Sequence, residues 1–149
     1  MSDKYLIADE PRPSKFSQYA VNPQWPMLAQ MLAGSWLALP WFMFNSIALG
    51  SPNWKKDLGW VLLSLSGSLI LLFSIEYAID QQIIIGIWVK LSFLLIIALR
   101  LWVAYSLFFS QSSVFELWQY YGGIEKNGLI LLLLASFLVR PFVQTSIVD

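Results

Sequence analysis

The sequence predicts an all-α integral membrane protein with four transmembrane helices, a proline-rich N-terminal arm and a short interfacial helix. Hydrophobic residues make up 58% of the 149-residue chain and charged residues 12%, against roughly 45–50% and about 25% in soluble domains. A core of this size cannot hide that excess, so lipid must cover it. Four long apolar runs and eight Trp and six Tyr, residues that favour the membrane–water interface, agree with this prediction.

Residues 1–26 form the polar arm, and residues 27–149 form the membrane domain. The arm contains four prolines, which disfavour helix and predict an extended segment. It is partly acidic and too long before the first apolar run to be a signal peptide. We expect it to pack on a neighbouring chain, the alternative being that it folds back on its own helices.

The first three spans are predicted at residues 27–50, 58–80 and 83–109. At about 1.5 Å per residue, each is long enough to cross a hydrocarbon core of about 30 Å. Pro40 predicts a kink in the first span, which membrane helices tolerate. Because Gln81 and Gln82 are the only break between the next two spans, these are expected to form a tight antiparallel hairpin.

Small side chains on one side of the second span predict a helix-packing surface. Gly67 and Ser68 follow Ser64 by three and four residues, so the small side chains lie on one side of the helix and let a neighbouring helix approach closely. We interpret this surface as a packing contact.

The C-terminal part of the domain is predicted to contain the interfacial helix, residues 114–121, and a fourth span, residues 128–148. Aromatic residues recur every three positions in the interfacial helix. Arg140 and Pro141 interrupt the last span. Because of Pro40 and Arg140, three spans plus a re-entrant segment is the alternative architecture.

Charged residues inside the apolar runs are the candidate functional residues. Arg100 is expected near the far membrane boundary, where it reaches water or pairs with Asp57. Glu76 and Asp80 share one face of the second span and are expected to form a charge cluster with Lys90. A central charge costs about 2.5–3.5 kcal/mol on insertion scales, so a partner is expected wherever the charge cannot reach water.

Arg140 has three alternative interpretations. It ends the last helix, it pairs with an acid on another helix or subunit, or it lines an aqueous path. Pro141 leaves one helical carbonyl without its usual partner, so the backbone there is already polar.

The sequence excludes much of the usual chemistry of membrane proteins. The chain has no cysteine and no histidine, which rules out disulfides, thiolate sites, His-based metal sites and bis-histidine haem ligation. A formal net charge of zero and the lack of a basic block do not favour nucleic acid. We therefore expect neither catalytic activity nor a cofactor nor a bound metal.

Under a four-span topology, the two sides of the membrane carry equal numbers of basic residues, so the positive-inside rule does not determine the orientation. Three basic residues fall in the N-terminal arm and three on the opposite side, namely Lys4, Arg12 and Lys15 against Lys55, Lys56 and Lys126. The default prediction is a bacterial inner-membrane protein with both termini in the cytoplasm.

The leading functional hypothesis is a small accessory or assembly subunit of a larger membrane complex. Its expected partners are the lipid bilayer and other membrane subunits, a hetero-complex being favoured over a homo-oligomer. The first alternative is a self-associating channel or transporter component with a polar path through Lys90, Glu76 and Arg140. The second is a membrane-embedded protein that confers immunity to a toxin.

Overall fold

The computed structural model describes residues 14–139, and all of the regular structure in this range is helical. The prediction of an all-α fold is therefore confirmed for that part of the chain. Arg140 and residues 1–13 of the N-terminal arm lie outside the described residues. After a 3₁₀ turn at Ser17–Tyr19, the helices are α1 Gln24–Leu32, α2 Ser35–Leu49, α3 Trp54–Asp80, α4 Ile87–Tyr120 and α5 Leu129–Leu134, followed by a π-helical turn at Ala135–Val139.

Helices α3 and α4 form a long antiparallel hairpin. They have 27 and 34 residues, or about 40 and about 51 Å at 1.5 Å per residue. Both are long and apolar enough to cross a membrane. Buried residues of α3 recur at spacings of three, four or seven (Val61, Ser64, Ser68 and Ile75), which is the seam expected of two helices packed side by side.

The first predicted span is wrong, because residues 27–50 form two helices and not one. The chain reverses at Gly34, whose φ of +99° is a conformation that only glycine adopts without steric cost. The Gly34 N–H donates to the carbonyl of Ala29 at 2.8 Å. With 9 and 15 residues, α1 and α2 are about 13 and about 22 Å long, so neither crosses a bilayer by itself.

The α1–α2 hairpin covers only one half of α3–α4. Its shared core with those helices contains Met27, Leu39, Phe42, Val61, Val103, Ala104 and Leu107. The end of α2 packs beside the end of α4, where Leu49 joins Phe115 and Trp118. We call this half the proximal half; it comprises α1, α2, residues 54–68 and residues 100–120. The rest of the hairpin, residues 69–99, is the distal half.

The prediction of a separate interfacial helix at residues 114–121 is also wrong. Residues 114–120 continue α4, and Phe115 and Trp118 are buried against α2. The polar stretch before them does not break the helix, because the Ser112 hydroxyl donates to the Phe108 carbonyl four residues earlier at 2.8 Å. Helix α4 ends just before Gly122, which has a φ of +88°.

The last predicted span is described only in its first half. Helix α5 follows Gly128 and places Leu132 against Val21 and Trp41. Gly128 is required there, because a Cβ at this position would lie 2.7 Å from the Trp25 side chain and 3.0 Å from that of Trp41. Of the four predicted spans, α3 and α4 are the two continuous helices of spanning length in the described range.

Candidate functional site

Asp57 is the one acidic side chain that the described part of the chain buries completely. It lies in the first turn of α3, where the helix dipole favours negative charge. Ser46 donates its hydroxyl to Oδ2 at 2.7 Å and Ser110 donates to Oδ1 at 2.8 Å. Gln111 donates through Nε2 to Oδ2 at 3.4 Å. The carboxylate is thus held by neutral donors from α2 and α4.

Gln111 extends this buried network across three helices. Its Nε2 also donates to the Phe42 carbonyl at 2.8 Å, and its Oε1 accepts from Asn45 Nδ2 at 3.2 Å. The Asn45 Oδ1 in turn accepts the backbone N–H of Val21 at 3.0 Å. We call these residues the Asp57 network. It ties the segment before α1 to α2, α3 and α4.

Local sequence explains how α2 and α3 bring the network together. Gly50 caps α2 with a φ of +64°, so the chain turns within four residues and starts α3. This turn sets Ser46, near the end of α2, beside Asp57. A cavity of about 480 Å³ lies next to this turn, lined by Ser46, Ile47, Gly50, Ser51, Pro52 and Trp54.

Most of this network is not predicted from the sequence. Asp57 is predicted only as a partner for Arg100, and Asn45 and Gln111 are not among the predicted site residues. The available signal was an amide inside an otherwise apolar run, because a buried polar side chain needs hydrogen-bond partners. Asn45 shows this pattern, because it is an amide side chain inside the apolar run at residues 27–50.

Arg100 pairs with a hydroxyl and not with Asp57. Its Nε donates to Ser68 Oγ at 3.1 Å. The predicted hairpin began its second helix at residue 83, but α4 begins at Ile87. Arg100 is therefore thirteen residues into α4, level with Ser68, which lies twelve residues before the end of α3. Asp57 is about 16 Å further along that helix.

A cavity of about 370 Å³ lies beside Arg100, between α4 and the turn that joins α1 to α2. It is lined by Gln30, Met31, Gly34, Ser35, Ile97, Arg100 and Leu101. Gln30 donates through Nε2 to Ser35 Oγ at 2.9 Å, whereas its Oε1 is buried without a hydrogen-bond partner. Arg100 and Gln30 thus bring unused hydrogen-bonding capacity to the same cavity.

Glu76, Asp80 and Lys90 are exposed, and no ion pair joins them to one another in the described range. The reason is helical phase. Glu76 is one residue past Ile75, which faces α4, so its side chain is rotated by about 100° away from the partner helix. A contact between these charges and another chain stays a prediction.

The predicted small-residue surface faces α4. Ser64 and Ser68 are buried, and a Cβ added at Gly67 would lie 3.0 Å from the Leu99 side chain. Ser68 also accepts the hydrogen bond from Arg100, so its hydroxyl has a second role that spacing alone did not predict. The Ser64 hydroxyl is buried without a hydrogen-bond partner.

Residues 14–139 contain no group of three or more acidic side chains arranged to hold a metal ion. No known protein family, no curated protein and no solved structure matches the chain.

Proposed function

We propose that this chain is a non-catalytic membrane subunit that binds another membrane protein through the distal half of its hairpin. The observation that carries the proposal is the uncovered distal half. Large apolar and aromatic side chains project there from both helices and are 63–68% exposed, namely Ile70, Phe73, Tyr77, Ile87 and Trp88. An apolar surface of this extent is typical of contact with lipid and with other membrane helices.

The buried polar groups support a structural role. Asp57 uses its oxygens to hold three helices together, and the chain has no histidine or cysteine to act as a base, nucleophile or soft metal ligand. The channel alternative gains no support from a single chain, because Lys90 and Glu76 lie exposed on the outside of the hairpin and do not line a shared path.

In the proposed arrangement, α3 and α4 cross the membrane and α1–α2 is a re-entrant hairpin. Irregular backbone is tolerated at membrane depth only where protein or water satisfies it. The turn at Gly34 meets this condition, because Ala33 O accepts the Trp36 Nε1–H at 2.7 Å and the Gly34 N–H bonds to Ala29.

A re-entrant α1–α2 hairpin also makes the numbers of lysines on the two sides of the membrane unequal. It returns the chain to the side from which it entered, so the loops at residues 14–23, 50–53 and 121–128 share one end. That end collects Lys15, Lys55, Lys56 and Lys126, whereas the other end has Lys90 with Glu76 and Asp80. By the positive-inside rule, the lysine-rich end faces the cytoplasm, and we propose the bacterial inner membrane as its location.

Single cysteines test this topology directly, because the natural chain has none. Lys15→Cys, Lys55→Cys and Gln82→Cys are labelled in whole cells with a membrane-impermeant maleimide, before and after lysis. We expect position 82 to react in intact cells and positions 15 and 55 only after lysis. If position 15 reacts together with position 82, the first segment crosses the membrane and the re-entrant arrangement is wrong.

The subunit proposal is tested by purification in a mild detergent followed by native mass measurement. We expect a hetero-complex, and we expect Phe73→Ala combined with Trp88→Ala to release the partner. Phe44→Ala, which truncates an exposed aromatic residue on α2, is the matched control and should keep it. A lone monomer contradicts the proposal, and a mass that is a multiple of this chain alone favours the channel alternative.

A further inference from the structure

Arg100 presents a cation on a mostly apolar outer surface. It lies about 20 Å from the start of α4, and its neighbours in the adjoining cavity include Met31, Ile97 and Leu101. A charge at such a depth is expected to have a counter-charge or a route to water. No described carboxylate is paired with it.

The hydrogen-bonding capacity of the cavity is mostly unused. A guanidinium carries five N–H donors, and its bond to a described side chain runs from Nε to Ser68. The two Nη atoms provide a fork that suits a carboxylate. The Gln30 amide adds a further group, because one of its two polar atoms is buried without a partner while the other bonds to Ser35.

Rotating the Gln30 amide makes the site complementary to an anion. Its oxygen would then accept the Ser35 hydroxyl, and its nitrogen would donate into the cavity beside Arg100. A carboxylate seated there would receive N–H groups from both residues. The cavity of about 370 Å³ has room for the end of an acidic side chain. Lipid phosphates belong to the headgroup region, whereas a carboxylate on a helix reaches this depth.

We propose that the Arg100 cavity binds a carboxylate side chain from a transmembrane helix of a partner protein. The inference rests on the proposed function and extends the partner contact from the distal half to its boundary with the proximal half, where Ile97 and Arg100 line the same cavity. The added contact is a Glu or Asp on the partner's helix, bound by Arg100 and Gln30. Lys90, exposed at the hairpin end, is not part of the site.

The test uses two Leu-rich transmembrane peptides that differ only in a central Glu or Gln. Association with the full chain is measured by energy transfer in phosphatidylcholine vesicles. We expect the wild-type chain to bind the Glu peptide about tenfold more tightly, in line with the energies of charge-assisted hydrogen bonds within membranes. Arg100→Gln should remove this preference, and Arg100→Glu should make the chain prefer a matched Lys peptide.

Two variants separate the site from general effects. Lys90→Gln removes a cation outside the cavity and should leave the preference for Glu unchanged. Gln30→Leu should reduce it about threefold, since the one N–H that the neutral amide donates to the carboxylate is lost. Circular dichroism and thermal unfolding in detergent check that each variant is folded.

Equal binding of the Glu and Gln peptides by the wild-type chain overturns the inference, as does a preference that survives Arg100→Gln. If adding phosphatidylglycerol to the vesicles abolishes the preference for the Glu peptide, the site binds a lipid phosphate, and this result also contradicts the inference. The outcome is independent of the native mass experiment. If the hetero-complex still forms with Arg100→Gln, the proposed function is supported but this site is not. If the chain is a monomer that still prefers the Glu peptide, the site is supported but the proposed function is not.

Discussion

The proximal and distal halves of the α3–α4 hairpin treat polar groups in opposite ways. In the proximal half, Asp57, Asn45 and Gln111 are fully buried and bonded to one another or to neighbouring helices. In the distal half, Glu76 and Lys90 are exposed and no ion pair joins them to another described residue. The same two helices therefore carry buried, hydrogen-bonded polar side chains at one end and exposed charges, unpaired within the described range, at the other.

The difference follows from what covers each half. An unpaired buried charge is very costly. The buried Asp57 carboxylate of the proximal half is stabilised by hydroxyl and amide donors from α2, which covers this half, and from α4. Within residues 14–139, the distal half consists of two helices, which can bury one seam between them. Its remaining apolar surface is exposed, and the proposed function assigns this surface to lipid and a partner. Stability should therefore depend on the proximal half and association on the distal half.

The largest expected effect is the loss of the Asp57 carboxylate. Asp57→Ala removes the acceptor of the buried Ser46 hydroxyl and of the half-buried Ser110 hydroxyl, whereas Gln111 keeps its bond to the Phe42 carbonyl. Each orphaned buried group costs about 1–3 kcal/mol. We expect the free energy of unfolding to fall by about 3 kcal/mol, measured by denaturant unfolding in detergent micelles with tryptophan fluorescence.

Ser74→Ala is the matched control in the distal half. Its exposed hydroxyl bonds only to the Ile70 carbonyl of its own helix, so the change should stay within about 0.5 kcal/mol. A loss of less than about 1 kcal/mol for Asp57→Ala would break the comparison, because the proximal network would then be no more important than a surface hydroxyl.

A smaller loss is expected where the proximal half is tightly packed. In Gly123→Ala, the new Cβ would lie 2.3 Å from Cδ2 of the buried Trp118 ring, so either the ring or the backbone must move. Overpacking of this kind costs about 1–3 kcal/mol. The same unfolding assay measures the loss, and unchanged stability would show that Trp118 is not held firmly between the loop and α2.

Gly59→Ala should raise the free energy of unfolding, whereas Asp57→Ala and Gly123→Ala should lower it. Gly59 is exposed on α3, and nothing lies within 4 Å of an added Cβ. Alanine is favoured over glycine in a helix interior by about 0.8–1.0 kcal/mol, so we expect a gain of about that size, seen as a higher unfolding midpoint. A loss would indicate that this face of α3 is covered in the folded chain.

The smallest effect is expected from the distal charges. Glu76→Gln combined with Lys90→Gln should change the stability of the isolated chain by less than about 0.5 kcal/mol, because surface charges without partners contribute little. Thermal unfolding of the purified monomer checks this. A loss above about 1 kcal/mol would reveal a contact of these charges within the chain and weaken the distinction between the two halves.

The sequence was sufficient to predict an all-helical chain and the helix that ends at Asp80, because hydropathy and helical spacing are local properties. It did not predict the break at Gly34. A glycine inside an apolar run is compatible with a continuous helix as well as with a turn, and α1 reverses there because both short helices pack on α4. The continuation of α4 through Gln111 is likewise absent from the sequence prediction, which ends the third span at residue 109, because the partners of Gln111 lie on other helices.

Composition by itself determined that the chain is too apolar for an ordinary soluble domain, because composition sums over residues wherever they lie. The lengths of the apolar runs, which depend on residue order, predicted that it is helical. Tertiary structure alone decided which polar groups meet. A hairpin turn four residues longer than expected moves every later side chain by about 6 Å along its partner, more than the length of a hydrogen bond. Arg100 therefore reaches Ser68, and Asp57 is held by Ser46, Ser110 and Gln111.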